Sequence, residues 1–200
     1  MNVMCVTILE ICFVSHTKAA RHCPARTLAR VRNVQPPPFG GYRSNHPVVV
    51  PRRFEPWALL LLDECNLRPN AVVLGVATGP ATVARVAAKR SGPGGRVVAT
   101  DISRPMLEVA NSKPSLPDSA PITYIESPAA PLGVESAAFD FVVCHHGLQF
   151  FPDRLAALSE MRRALKPGGG QLAIAAWSHI EDNAFYASPT RRCARVFPAI

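Results

Sequence analysis

Two hundred residues at 48% hydrophobic content favour one domain with a true core plus extensions over two domains. The formal charge of +8 suggests a nucleic-acid binder only until it is divided along the chain: residues 1–53 hold eight Lys or Arg against the single Glu10, a net +7, which leaves +1 for residues 54–200. The globular part is close to neutral, which argues against nucleic acid as a partner, and no apolar run reaches transmembrane length.

Residues 1–53 read as a basic, Pro-rich leader, expected to be poorly ordered and closed by the linker at Pro36–Pro38. Glu10 interrupts its apolar start and a basic n-region is lacking, which argues against secretion; the Arg-rich, acid-poor middle also fits an organelle transit peptide. Six scattered cysteines (Cys5, Cys12, Cys23, Cys65, Cys144, Cys193) make no CxxC pair and fit a reducing compartment, so the expected location is cytoplasmic. Cys12, His16, His22 and Cys23 match no recurring zinc-ligand spacing, and no metal is expected.

From Phe54 the texture changes. FEPWALLLLDECNLRPN reads as a helix with Pro56 near its start, Trp57, Leu60, Leu61 and Cys65 on its apolar face, and Arg68, Pro69 and Asn70 as its stop. The stretch from Ala71 to Asp101 organises the rest of the chain: strand Val72–Val76, a small-residue turn at Ala77, Thr78, Gly79, Pro80 and Ala81, a helix facing inward through Val83, Val86 and Ala87, and a second strand, Gly95–Asp101. A short helix then starts at an N-cap Ser103, with Pro105 in its first turn. Ile122–Glu126 and Asp140–Cys144 read as the third and fourth strands, and Asp153 caps a helix striped with Leu155, Leu158, Met161 and Leu165. Gln171–Trp177 is the fifth strand. The pattern is α/β, a doubly wound, Rossmann-like and mostly parallel sheet with five recognisable strands.

In such a sheet the first turn lets backbone approach a ligand at the carboxyl end of the first strand, and an acid ending the second strand accepts both hydrogen bonds of a ribose diol. Asp101 holds that place. A pyrophosphate cofactor wants a G-x-G-x-x-G turn, whereas this turn has one clear glycine, Gly79, followed by Pro80 with no N–H to offer. A nicotinamide-dependent oxidoreductase is therefore the disfavoured reading.

Four ordered blocks, VVLGVATGPATVARVAA, GRVVATDISRPMLEVA, FDFVVCHHGLQFFPD and EMRRALKPGGGQLAIAAW, resemble the class I S-adenosylmethionine-dependent methyltransferases, most of all the branch with the ubiquinone/menaquinone-biosynthesis C-methyltransferases. The resemblance implies a methyltransferase-like Rossmann domain over residues 54–200, S-adenosylmethionine as cofactor and a small-molecule methyl acceptor as partner. By position it implies that Ala77, Thr78 and Gly79 line the methionine end and that Asp101 holds the ribose. Ile102 and Met106 would pack near the adenine, Ser127, Pro128 and Ala129 would flank its other side, and Cys144, His145 and His146 would lie near the sulfonium. A catalytically inactive methyltransferase-like binding domain is the alternative, motivated by departures such as Ala81 and Pro128.

No essential base is assigned. His145 and His146 are the catalytic candidates, and if strand alternation persists their rings point to opposite faces, so that at most one meets the acceptor. Gln149, Phe150 and residues 179–185 are further pocket candidates. The family sheet has seven strands, and residues 178–200 do not read as the last two. Gln171–Trp177 is then an exposed apolar edge open to self-association, unless the chain is a fragment or its N-terminus replaces the missing edge.

Overall fold

The computed structural model describes residues 4–10 and 49–177. Among the described residues six strands and four α-helices, with a 3-10 helix at Leu148–Phe150, succeed one another in chain order: β1 (Met4–Glu10), α1 (Val49–Glu64), β2 (Val72–Val76), α2 (Thr82–Ser91), β3 (Arg96–Asp101), α3 (Arg104–Asn111), β4 (Ile122–Glu126), β5 (Phe141–His145), α4 (Arg154–Ala164) and β6 (Gln171–Trp177). The sheet order is β1-β6-β5-β2-β3-β4, with β2 to β6 all parallel and β1 antiparallel to β6.

Alternation along the strands sorts side chains to two cores. Val73, Val97, Val143 and Ala173 face Trp57, Leu61, Ala84 and Ala87 of α1 and α2. Leu74, Val142, Leu172 and Ile174 face Ala157, Met161 and Ala164 of α4. Strands buried on both faces read as unbroken apolar runs, which is why they were legible. From β2 the chain winds outward through β3 and β4, then crosses back to place β5 on the other side of β2, so a crevice opens between the carboxyl ends of β2 and β5.

Several expectations shift. Met4–Glu10 lies inside the stretch expected to be a poorly ordered leader, yet it forms β1, pairing Met4 with Trp177 through Glu10 with Gln171. The outer edge of β6 is thereby occupied, which corrects the expectation of an exposed fifth strand and matches the alternative that the N-terminus replaces the missing edge: the backbone groups that would invite self-association are hydrogen-bonded within the chain. Helix α1 begins at Val49, so Pro56 falls inside it. Leu155 is 78% exposed, because α4 turns Ala157, Met161 and Ala164 inward and Leu155 lies across the helix from them. Residues 178–200 lie outside the described residues.

Candidate functional site

A cavity of about 830 Å³ occupies the crevice. Its floor is the turn after β2, where Ala77, Gly79 and Ala81 adopt left-handed φ of 53°, 52° and 63°. Gly79 takes this conformation freely, whereas each alanine costs about 1–2 kcal/mol there. The turn is tied down by Thr78 N–H donating to Thr100 O at 2.9 Å and Ala81 N–H donating to Thr78 O at 3.0 Å.

Asp101 ends β3 at the cavity wall. Its Oδ2 accepts from Gly79 N–H at 2.7 Å and its Oδ1 from Ser103 N–H at 2.8 Å, so one carboxylate joins the turn to the start of α3. Ser103 occupies the N-cap position, but its hydroxyl makes no capping bond; Asp101 takes the Ser103 amide instead. Two backbone amides leave the carboxylate with acceptor capacity on each oxygen.

Beside Asp101, Ile102 is 72% and Met106 47% exposed, and both line one wall of the cavity. Ser127, Pro128 and Ala129 also line the cavity. The Ser127 hydroxyl is used up locally, donating to Pro128 O and accepting from Gly133 N–H, each at 2.9 Å. That stretch therefore presents little beyond apolar surface.

The end of β5 departs from expectation. Cys144 is fully buried in the α4-side core and does not line the cavity; burial pushes its thiol up to about 12. His145 and His146 both line it. His146 has φ of 60°, which breaks the strand alternation and brings its ring to within 4.2 Å of the His145 ring, centroid to centroid. Phe54 of α1 packs edge-on against both. Burial, and next the neighbouring His146, push the His145 pKa down to about 3, so the imidazole is neutral at ordinary pH. Neutral, it acts as a hydrogen-bonding group and is a poor proton acceptor.

Sequence reasoning missed Phe54, Gly147 and Phe151. A Cβ on Gly147 would come within 2.6 Å of the Ala77 Cβ and 3.0 Å of Cys144 Sγ, so this glycine lets the turn after β5 close on the turn after β2. A glycine directly after the paired histidines was the available signal. Phe54 had none, since α1 is remote from the turn in sequence. Residues 179–185 lie outside the described residues.

Two carboxylates, Asp101 and Asp153, line the cavity, and among the described residues no Lys or Arg does. Thr78 Oγ1, His145 Nε2 and Gln149 Oε1 are buried with no hydrogen-bond partner. Unmet polar atoms around an otherwise apolar hollow mark a ligand site. The charge balance suits a cation and opposes a pyrophosphate. S-adenosylmethionine, with a sulfonium, an ammonium and a ribose diol, fits this donor and acceptor set.

A family model described as "Methyltransferase domain" matches residues 74–173, half of the chain. The ubiquinone/menaquinone biosynthesis C-methyltransferase UbiE of Cupriavidus pinatubonensis is 34% identical over 119 residues, 59% of this chain and 48% of that protein. The demethylmenaquinone methyltransferase of Staphylococcus saprophyticus is 32% identical over 130 residues, 65% of this chain and 55% of that protein. This chain thus spans about half the length of the curated relatives it matches. A SAM-dependent methyltransferase from Aquifex aeolicus superposes with a TM-score of 0.55 at 26% identity, over 62% of this chain and 66% of that one.

Proposed function

The chain belongs to the methyltransferase-domain family, and from that premise we propose that its cavity takes S-adenosylmethionine and serves methyl transfer to a small-molecule acceptor, in the cytoplasm and without nucleic acid as partner. The observation that carries this reading is the charge pattern of the cavity, two carboxylates and no described cation, together with the Asp101 carboxylate at the end of β3. Among the described residues no helix is long and apolar enough to cross a membrane.

When bound, the cofactor would supply an electrophilic methyl on a sulfonium, with S-adenosylhomocysteine as the leaving group. The protein's part is proximity and alignment. Asp101 would accept from the ribose hydroxyls with the capacity left by Gly79 and Ser103. Ile102 and Met106, together with Pro128 and Ala129, would pack around the adenine and exclude water. Ala77, Thr78 and Gly79 would border the methionine end, with Thr78 Oγ1 free to bond it. His145 Nε2, neutral and unpartnered, would orient the acceptor and leave its proton to another carrier.

A second reading, a catalytically inactive binding domain, is favoured by the two left-handed alanines in the turn and by a histidine too weakly basic for proton abstraction. Calorimetric titration with S-adenosylmethionine and, separately, NAD distinguishes the readings. Heat with the sulfonium alone is expected. Silence toward both ligands supports the second reading, and binding of NAD alone would overturn the assignment.

A further inference from the structure

The turn from Ala77 to Ala81 is left-handed at three of its five residues, two of them alanines that relax readily unless held. Backbone bonds and Asp101 provide three tethers. A fourth comes from outside the cavity: Lys113, just beyond the end of α3, donates from Nζ to Pro80 O at 2.5 Å. Its own position is fixed by Arg85 of α2, whose Nη1 donates to Pro114 O at 2.9 Å, and by Lys113 N–H donating to Ala110 O at 3.4 Å. The side chain is partly buried, and burial, followed by the nearby Arg85, lowers the pKa of its amine; the tether is a desolvated, charge-assisted hydrogen bond.

Asp101 and Lys113 hold adjacent residues of the turn, but they differ in what else they face. Asp101 lines the cavity, so the same carboxylate serves Gly79 N–H and any ligand hydroxyl it accepts from. Lys113 does not line the cavity, so its hold on Pro80 persists when a ligand engages Asp101.

We propose that Lys113 is a positioning residue for the cofactor turn, fixing the Pro80 carbonyl so that residues 77–81 keep their ligand-binding backbone while the Asp101 carboxylate is shared between the turn and the ligand. The inference rests on the S-adenosylmethionine reading of the cavity. It is tested with Lys113→Met, which keeps length and loses charge, and Lys113→Arg, which keeps charge. Affinity for S-adenosylhomocysteine is measured by calorimetry, and amide exchange at Gly79, Ala81 and the core residue Val73 is followed in the ligand-free proteins. Lys113→Met should weaken binding about tenfold and speed exchange at Gly79 and Ala81 but not at Val73, while Lys113→Arg keeps most of the affinity. Affinity within about twofold of wild type, or faster exchange at Val73 as well, would overturn the proposal. If the wild type itself does not bind, the cofactor reading falls, and the exchange comparison still decides whether Lys113 holds the turn.

Discussion

At the amino ends of the strands, Asp140 accepts from Val72 N–H at 2.9 Å, Lys166 Nζ at 3.1 Å and Arg68 Nη2 at 3.2 Å. Close by, Arg163 forks onto both Glu160 oxygens at 2.9 Å and also donates to the carbonyls of Leu132 and Val134 and the Ser136 hydroxyl, while Glu160 takes Leu132 N–H. At the carboxyl ends, Thr78 Oγ1, His145 Nε2 and Gln149 Oε1 are buried without partners, two alanines sit left-handed, and Ile102 and Phe150 stand exposed. The amino end spends its charged groups on itself, with Ser91 Oγ and Gln171 Oε1 the buried polar atoms left over there among the described residues. The carboxyl end leaves its polar atoms for a ligand, which is how a fold separates stability from function.

The strongest test of that contrast is Asp140→Ala. It strips Val72 N–H of its partner, while the exposed Arg68 and Lys166 lose only solvent-screened pairs, so unfolding free energy should fall by about 2 kcal/mol in denaturant titration, with cofactor affinity unchanged. Gly147→Ala strikes the other end. The added methyl must push Ala77 or Cys144 aside, which costs about 1–3 kcal/mol and should weaken cofactor binding as the turn shifts. A Gly147→Ala protein with wild-type affinity would break the contrast.

Acid separates the two ends by pH window. Burial works to raise the Asp140 pKa, but Val72 N–H, Lys166 and Arg68 outweigh it and hold the carboxyl below its ordinary 3.8. Its folded pKa is depressed, so its contribution is complete above that value and fades as pH falls through the folded pKa. His145 is depressed from 6.5 to about 3, so below 6.5 the unfolded chain binds a proton that the native one refuses. Stability should therefore already decline between pH 6.5 and 3 through His145. His145→Gln should flatten that upper window, and Asp140→Asn the lower one, in melting curves taken across pH. The smallest expected effect is at Ala81→Gly: relief of a left-handed alanine is offset by glycine's chain entropy and by loss of a fully buried methyl worth about 0.8 kcal/mol, so thermal unfolding should stay within about 0.5 kcal/mol of wild type.

Legibility in the sequence divides along the same line. The parallel strands were readable because burial on both faces writes continuous apolar runs such as Val72–Val76, and the place of Asp101 at the cavity wall was readable because it ends such a run. For β1, the N-terminus covering the edge of residues 171–177 was one of the alternatives open to the sequence, but the strand Met4–Glu10 and its register were not readable, since that pairing is purely long-range. The orientation of the His145 and His146 rings was misjudged because alternation presumes extended backbone, and His146 leaves it at a φ of 60°. Phe54 enters the cavity through packing between elements distant in sequence, which no local pattern records, whereas Gly147 carried a local sign in its place directly after the two histidines.

The most direct test of the crevice as cofactor site is a map of backbone amide chemical shifts during titration with S-adenosylhomocysteine. The changes should centre on Gly79, Asp101, Ser103 and His145, with Val72, Asp140 and Lys166 still. Changes centred on that second set, or none at saturating ligand, would contradict the assignment.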